Sequence, residues 1–192
     1  MTLIAKDNVG EFYQHYPRVA VILTVNSNGK RNAMAAAWHS SISFKPALYG
    51  VSVAPKRYTY KLIVESGEFG INFMPFEYAD LIASVGGSGG SQIDKFRKFN
   101  LVEVNPIKTN VPILKQAYAA YECKLVDNKT YGDHSWMVGE IVAVHINEEL
   151  FTDKGTLDTA KLNPVLYIGA ELYITTKKES ERLLDRETYG KL

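Results

Sequence analysis

NGKRNAMAAAWHSSISFKPALYGVSVAPKRYT, residues 28–59, is the stretch on which the fold turns. Asn28-Gly29 marks a two-residue hairpin turn, whose central positions both need positive φ. A strand over Lys30–Trp38 follows. By parity, Asn32, Met34, Ala36 and Trp38 project from one face, and Ala33, Ala35 and Ala37 from the other. Strands favour β-branched residues, so four alanines here are locally unfavourable and need a reason. Either another strand or a partner subunit packs closely on them, or a flat molecule lies against the backbone.

The second half of the stretch bears on that choice. Ala47–Val53 reads as a buried strand, ended by Pro55 and followed by Lys56-Arg57-Tyr58-Thr59. A helical pattern then begins, with Tyr58, Leu62, Ile63 and Ser66 on one face and Gly67 as its stop. A helix start offers unpaired backbone N–H groups and the positive end of the helix dipole, which suit an anion. Lys56 or Arg57 would add charge-assisted hydrogen bonds to a phosphate, and Thr59 a neutral one. The same residues also suit a solvated loop before an ordinary helix. Beside the alanine strand, they suggest a flat ring system that carries a phosphate.

The wider stretch YPRVAVILTVNSNGKRNAMAAAWHSSISFKPALYGVSVAPKRYTYKLIVESGEFGINF, residues 16–73, resembles the opening of the flavin reductase-like, FMN-binding split-barrel family, and within it the flavoredoxin group. The resemblance extends from Tyr16 to Ile174. It implies a mainly β fold with added helices, a split β-barrel of Greek-key type, forming one domain over residues 1–192. It also implies FMN as cofactor. Carried over residue by residue, the main flavin-site candidates are Asn32, Trp38, Thr59, Lys95, His134 and Tyr167. Lys95 matches the lysine of a DKF-like segment, His134 the histidine of a GDH-like segment, and Tyr167 an aromatic beside the ring. Met34, Ala35, Ala36, Ser52, Lys56 and Tyr58 are secondary candidates for the ring, the ribityl chain or the phosphate. A lysine at the N1/C2 edge of the ring would stabilise negative charge on reduced flavin.

Composition bounds the alternatives. With 192 residues, 46% of them hydrophobic, the chain can bury one sizeable core. Its 22 basic and 21 acidic residues nearly cancel, which removes any electrostatic case for general nucleic-acid binding. Cys123 is the only cysteine, so no intramolecular disulfide can form, and a reducing cytoplasm is the natural setting. The first twelve residues lack the apolar core of a signal peptide, and no run reaches transmembrane length. The histidines show no metal-ligand spacing, so no metal is expected.

The rest of the chain reads as short strands and turns with helical insertions, which fits a closed or partly closed barrel. Expected strands cover Pro17–Val25, Phe69–Phe73, Ala117–Val126 and Trp136–Ile146, with a final one ending near Ile174. Glu77–Val85 has helical spacing, and a polar connection is expected between Val126 and Trp136. Gly86-Gly87-Ser88-Gly89-Gly90-Ser91 is not a phosphate loop, because no Gly-Lys-Ser/Thr follows. It reads as a mobile surface loop or a lid near the ligand. Cys123 reads as a small core residue and His145 as structural, while Lys177–Leu192 is a charged stretch that suits a surface helix.

No Gly-x-Gly-x-x-Gly follows a strand, so a dedicated dinucleotide site is absent and any NAD(P)H must stack directly on the flavin. FMN carries the redox chemistry itself, and no catalytic residue is assigned. Two functional classes follow: an FMN-dependent oxidoreductase taking electrons from NAD(P)H or a redox protein, or a non-enzymatic FMN electron carrier. A ligand-binding split-barrel protein is a third. The resemblance further implies a homodimer, with Ala33, Ala35 and Ala37 as a close-packing face and Phe44, Trp38 and Tyr58 as aromatic anchors.

Overall fold

The computed structural model describes residues 2–189. Strands β1 (Arg18–Val19), β2 (Val21–Ser27), β3 (Lys30–Ala36), β4 (His39–Phe44) and β5 (Ala47–Val53) come first, followed by helix α1 (Tyr58–Ser66) and β6 (Glu68–Phe73). Helices α2 (Ala79–Gly86) and α3 (Lys95–Lys98) then precede β7 (Glu103–Val104) and β8 (Ile113–Leu114). The long hairpin β9 (Ala119–Tyr131) and β10 (His134–Ile146) is followed by β11 (Leu166–Gly169), β12 (Leu172–Ile174) and the short helix α4 (Arg186–Tyr189).

Seven strands pair antiparallel in the order β3-β2-β6-β9-β10-β5-β4. β1, β11 and β12 form a smaller sheet, and β7 and β8 pair on their own. The β2–β3 hairpin is joined through Asn28 at φ 51° and Gly29 at φ 80°, with Ser27 opposite Lys30, which is the turn that Asn-Gly dictates. Helix α1 begins and ends where its sequence signals lie. Gly67 sits at φ 70° and returns its N–H to the Ile63 carbonyl at 2.8 Å.

Two hydrophobic clusters flank β2 and β3. Val21, Leu23 and Val25 enter one with Val51, Leu62, Phe69 and Met137. Ile22 enters the other with Met74, Ile82, Val85, Phe96 and Val165. On β3 the parity persists: Met34 and Ala36 pack on the first cluster, Ala33 and Ala35 on the second. β2 is buried on both faces, and its polar Thr24 is accommodated there by donating to the Pro112 carbonyl at 2.6 Å.

Several boundaries differ from the sequence expectation. The strand expected over Pro17–Val25 is split, because the Ala20 N–H leaves the ladder for the Val165 carbonyl at 3.0 Å. The connection expected between Val126 and Trp136 is mostly strand, closed by a tight turn with Gly132 at φ 62°. β4 lies inside a stretch that had shown no strand signal. The face formed by Ala33 and Ala35 is not free for a twin subunit, since this chain's own α2 and α3 side chains cover it. In the expected surface helix over Lys177–Leu192, only a single turn and the short α4 form, and residues 190–192 lie outside the described residues.

Candidate functional site

A cavity of about 330 Å³ opens where β3 ends and α1 begins. Its floor is the run Met34 to Trp38, its far walls include Ser52, His134 and Tyr167, and Arg57 stands at its α1 end. Residues of both parities line it, because regular pairing stops at Ala36 and the chain runs on irregularly through Ala37 and Trp38. The ligand space therefore lies across the end of the strand, not on one of its faces. Alanine is what makes the space: at positions 35, 36 and 37 nothing extends beyond Cβ.

Trp38 is fixed from two sides. Its Nε1 donates to the Tyr16 hydroxyl at 2.6 Å, and its ring centroid lies 4.9 Å from that of His134. His134 Nδ1 is 2.8 Å from an Asp133 carboxylate oxygen, a contact that holds the Asp133 carboxyl below the ordinary carboxylate range. The Trp38 carbonyl accepts from the Ser52 N–H at 2.8 Å, which keeps the irregular run in register with β5. Across the cavity Tyr13 leans on Gly169, where an added Cβ would come within 2.6 Å of the tyrosine ring.

At the α1 end, Arg57 is the N-cap residue, no side chain caps the helix, and its first turn holds no acidic residue. Just inside, Asn32 is buried and its Nδ2 donates to Thr59 Oγ1 at 2.8 Å. The other amide atom of Asn32, Oδ1, has no partner. A buried amide atom without a partner costs about 1–3 kcal/mol, and this one lies against Gly90, where an added Cβ would collide with the amide. If the amide turns over, Thr59 donates to Oδ1 and Nδ2 becomes a free donor. The cavity and the uncapped helix start together fit a planar ring bearing a phosphate.

Of the sequence candidates, Met34, Ala35, Ala36, Trp38, Ser52, His134 and Tyr167 line the cavity, whereas Asn32, Lys56, Tyr58, Thr59 and Lys95 do not. Asn32 and Thr59 are buried and bonded to each other, Tyr58 packs on the first core cluster, and Lys56 is exposed. Lys95 departs furthest from expectation. Its ammonium is buried and donates to the Val85 carbonyl at 2.7 Å and the Ala33 carbonyl at 2.9 Å, behind β3. Burial, and then the nearby charge of Arg57, push its pKa down to about 8. Arg57, expected at the phosphate, lines the cavity, as do Tyr13, Tyr16, Ala37, Val53, Ala54 and Gly86, which were not among the candidates. Arg57 was legible as a cation at the helix start, whereas nothing in the sequence signals that Tyr13 folds back onto Gly169.

The sequence model of the flavin reductase-like domain family matches residues 13–175. The chain belongs to this family. The crystal structure of an FMN-binding protein from Thermus thermophilus, with 1-cyclohex-2-enone bound, superposes on 95% of the chain and 99% of its own, at 33% identity and a TM-score of 0.85. Flavoredoxin of Desulfovibrio vulgaris (Miyazaki F) matches over 97% of the chain and 100% of its own, at 26% identity and a TM-score of 0.84. The mainly β architecture is thus the split barrel of the flavin reductase-like proteins. Among sequence relatives, one from Aeropyrum pernix is 34% identical over 155 residues, which are 80% of this chain but 58% of that longer relative. A ferric-chelate reductase (NAD(P)H) of Archaeoglobus fulgidus is 31% identical over 126 residues, covering 65% of this chain and 73% of its own. Membership of the flavin reductase-like family associates the chain with flavin redox chemistry.

Among the described residues, no helix is long and apolar enough to cross a membrane, and no group of three or more His, Cys, Asp or Glu side chains could hold a metal ion.

Proposed function

We propose that the chain is an FMN-dependent oxidoreductase that takes electrons from NAD(P)H and passes them to a small acceptor. The observation that carries the reading is the uncapped start of α1, with Arg57 at its cap, opening into a cavity floored by alanines. Arg57 and the first N–H groups of α1 would hold the phosphate, with Asn32 and Thr59 behind them. The alanine run would lie against the ring, and Trp38, His134 and Tyr167 would border it. When bound, FMN accepts a hydride and can release its electrons singly or in pairs. The protein's own part is orientation, a cation near the ligand and restricted water access. The Archaeoglobus ferric-chelate reductase supports a nicotinamide donor. We further propose a cytoplasmic homodimer.

The carrier reading is kept because of the flavoredoxin similarity. One experiment separates the two. FMN-reconstituted protein is mixed anaerobically with NADH or NADPH in a stopped-flow instrument, and the flavin band is followed. Prompt bleaching by either supports the reductase. Bleaching by dithionite alone leaves the carrier. Protein that stays colourless after incubation with FMN would overturn both.

A further inference from the structure

Beyond Trp38 lies a second, larger cavity, of about 670 Å³, whose lining carries an unusual chemistry. Four of its side chains are aromatic: Phe12, Trp38, Tyr131 and Trp136. Two are carboxylates, Glu11 and Asp133, and neither a lysine nor an arginine is among the lining residues. We propose that this cavity is a binding site for a planar aromatic cation.

The ring faces of aromatic side chains carry partial negative charge and attract cations, most strongly where water is displaced. Carboxylates at the edge add direct Coulomb attraction, and they repel polyanionic ligands. The hairpin itself shows this preference, since the Lys129 ammonium sits 5.3 Å over the centroid of the Tyr131 ring. The walls are also set in advance. Trp136 lies flat on Gly50, where even an added Cβ would come within 2.4 Å of the indole. Trp38 is held by the Tyr16 hydroxyl. Phe12 adopts a left-handed backbone at φ 37°, ψ 52°, a conformation that is unfavourable for phenylalanine. In it, the ring lies 5.9 Å from Trp38 and 6.0 Å from His15. Strain of this kind, retained at a pocket wall, is a mark of a functional surface.

Trp38, Ser52 and His134 line both cavities, so one layer of side chains separates the two occupants. If FMN fills the first cavity, as proposed above, the cation is placed as a redox partner. The binding site itself does not depend on that reading.

Both tryptophans of the chain line this cavity, so tryptophan emission reports on it directly. The test compares N-methylquinolinium with neutral quinoline at pH 7.5, by calorimetry and by tryptophan emission, on protein with and without FMN. The cation is expected to bind at least tenfold tighter than quinoline, and less tightly in high salt. A Glu11→Gln/Asp133→Asn variant is expected to lower cation affinity severalfold, to a value still above that of quinoline, while leaving quinoline binding unchanged. The Asp133 side chain is 91% exposed, which makes the exchange tolerable to the fold, and an unchanged circular dichroism spectrum and thermal midpoint verify it. Equal affinity for cation and quinoline, or unchanged cation affinity in the double variant, would overturn the proposal. Cation binding without FMN binding would leave this site standing and sink the flavin reading; the converse would do the opposite.

Discussion

Single residues decide what the first cavity can hold, and Arg57 is the sharpest instance. It caps α1 and lines the cavity, and no acidic neighbour in the first turn competes for it. Arg57→Ala is expected to weaken FMN by tenfold or more, about 1.5–3 kcal/mol for a charge-assisted bond, while riboflavin, which lacks the phosphate, binds the variant and the parent alike. Fluorescence titration of both flavins checks this, and a parallel loss for riboflavin would remove the phosphate from this helix start. Lys95 has a different role from the one its motif suggested. Its folded pKa is lowered to about 8, against an ordinary 10.5, so the folded state resists the charged form. The sign follows: below pH 8 the folded protein bears this cost in full, and stability is regained as pH rises from about 8 to 10.5. The gain is on the order of 3 kcal/mol and should be missing from Lys95→Met. Urea unfolding of both proteins at pH 7.5 and pH 10 measures it, and identical pH dependences would refute it.

At the scale of elements, β9 carries the most consequential side chain, Glu122, wholly buried in mid-strand. Burial alone would raise its pKa, but the Ile107 N–H, His145, the Lys108 N–H and the Thr109 hydroxyl overcome that and hold it at about 2. The bonds run from 2.7 to 2.9 Å and fasten residues 107–109 to the sheet. A carboxyl depressed from 4.5 contributes stability above its unfolded pKa and loses it as pH falls from about 4.5 to 2. Glu122→Gln, which sets an amide N–H₂ among donors, is expected to cost about 3 kcal/mol at pH 7 and to flatten the acid limb of the stability curve. Denaturant midpoints between pH 3 and 7 provide the check. His145 thus has the structural place that its late position in an apolar strand suggested, and Cys123 is a buried core thiol pushed up to about 12 by burial. The elements that the sequence revealed were those buried on one or both sides, such as β5 and α1. β4 stayed hidden because it is a sheet edge, His-Ser-Ser-Ile-Ser-Phe, largely solvated and without alternation. The outer half of β9 was equally silent, since exposure on both faces leaves no periodic signal. Within the site, Trp38, His134 and Tyr167 were legible through motifs, whereas Tyr13 reaches the cavity only through tertiary folding.

For the molecule as a whole, the question is what covers its open edge. Ala33 and Ala35, expected to meet a twin subunit, are instead covered by the chain's own helices. β4 ends the seven-stranded sheet with Phe44 95% exposed and Ile42 46% exposed, and such an edge invites pairing. A homodimer joined through this edge is therefore expected. Sedimentation equilibrium should give twice the monomer mass, and Phe44→Asp should shift it toward monomer. A single monomeric species that binds FMN at full stoichiometry would exclude an obligate dimer.

β3 lies between two hydrophobic clusters, with its alanines at the mouth of the first cavity. Its side chains cannot grow without disturbing one cluster or the other, so this wall is closed to evolutionary tinkering. The surfaces freer to change are borne by Phe12, Tyr131 and Asp133, on the N-terminal segment and the hairpin tip. In a lineage built on this plan, the cofactor would be inherited and the redox partner renegotiated.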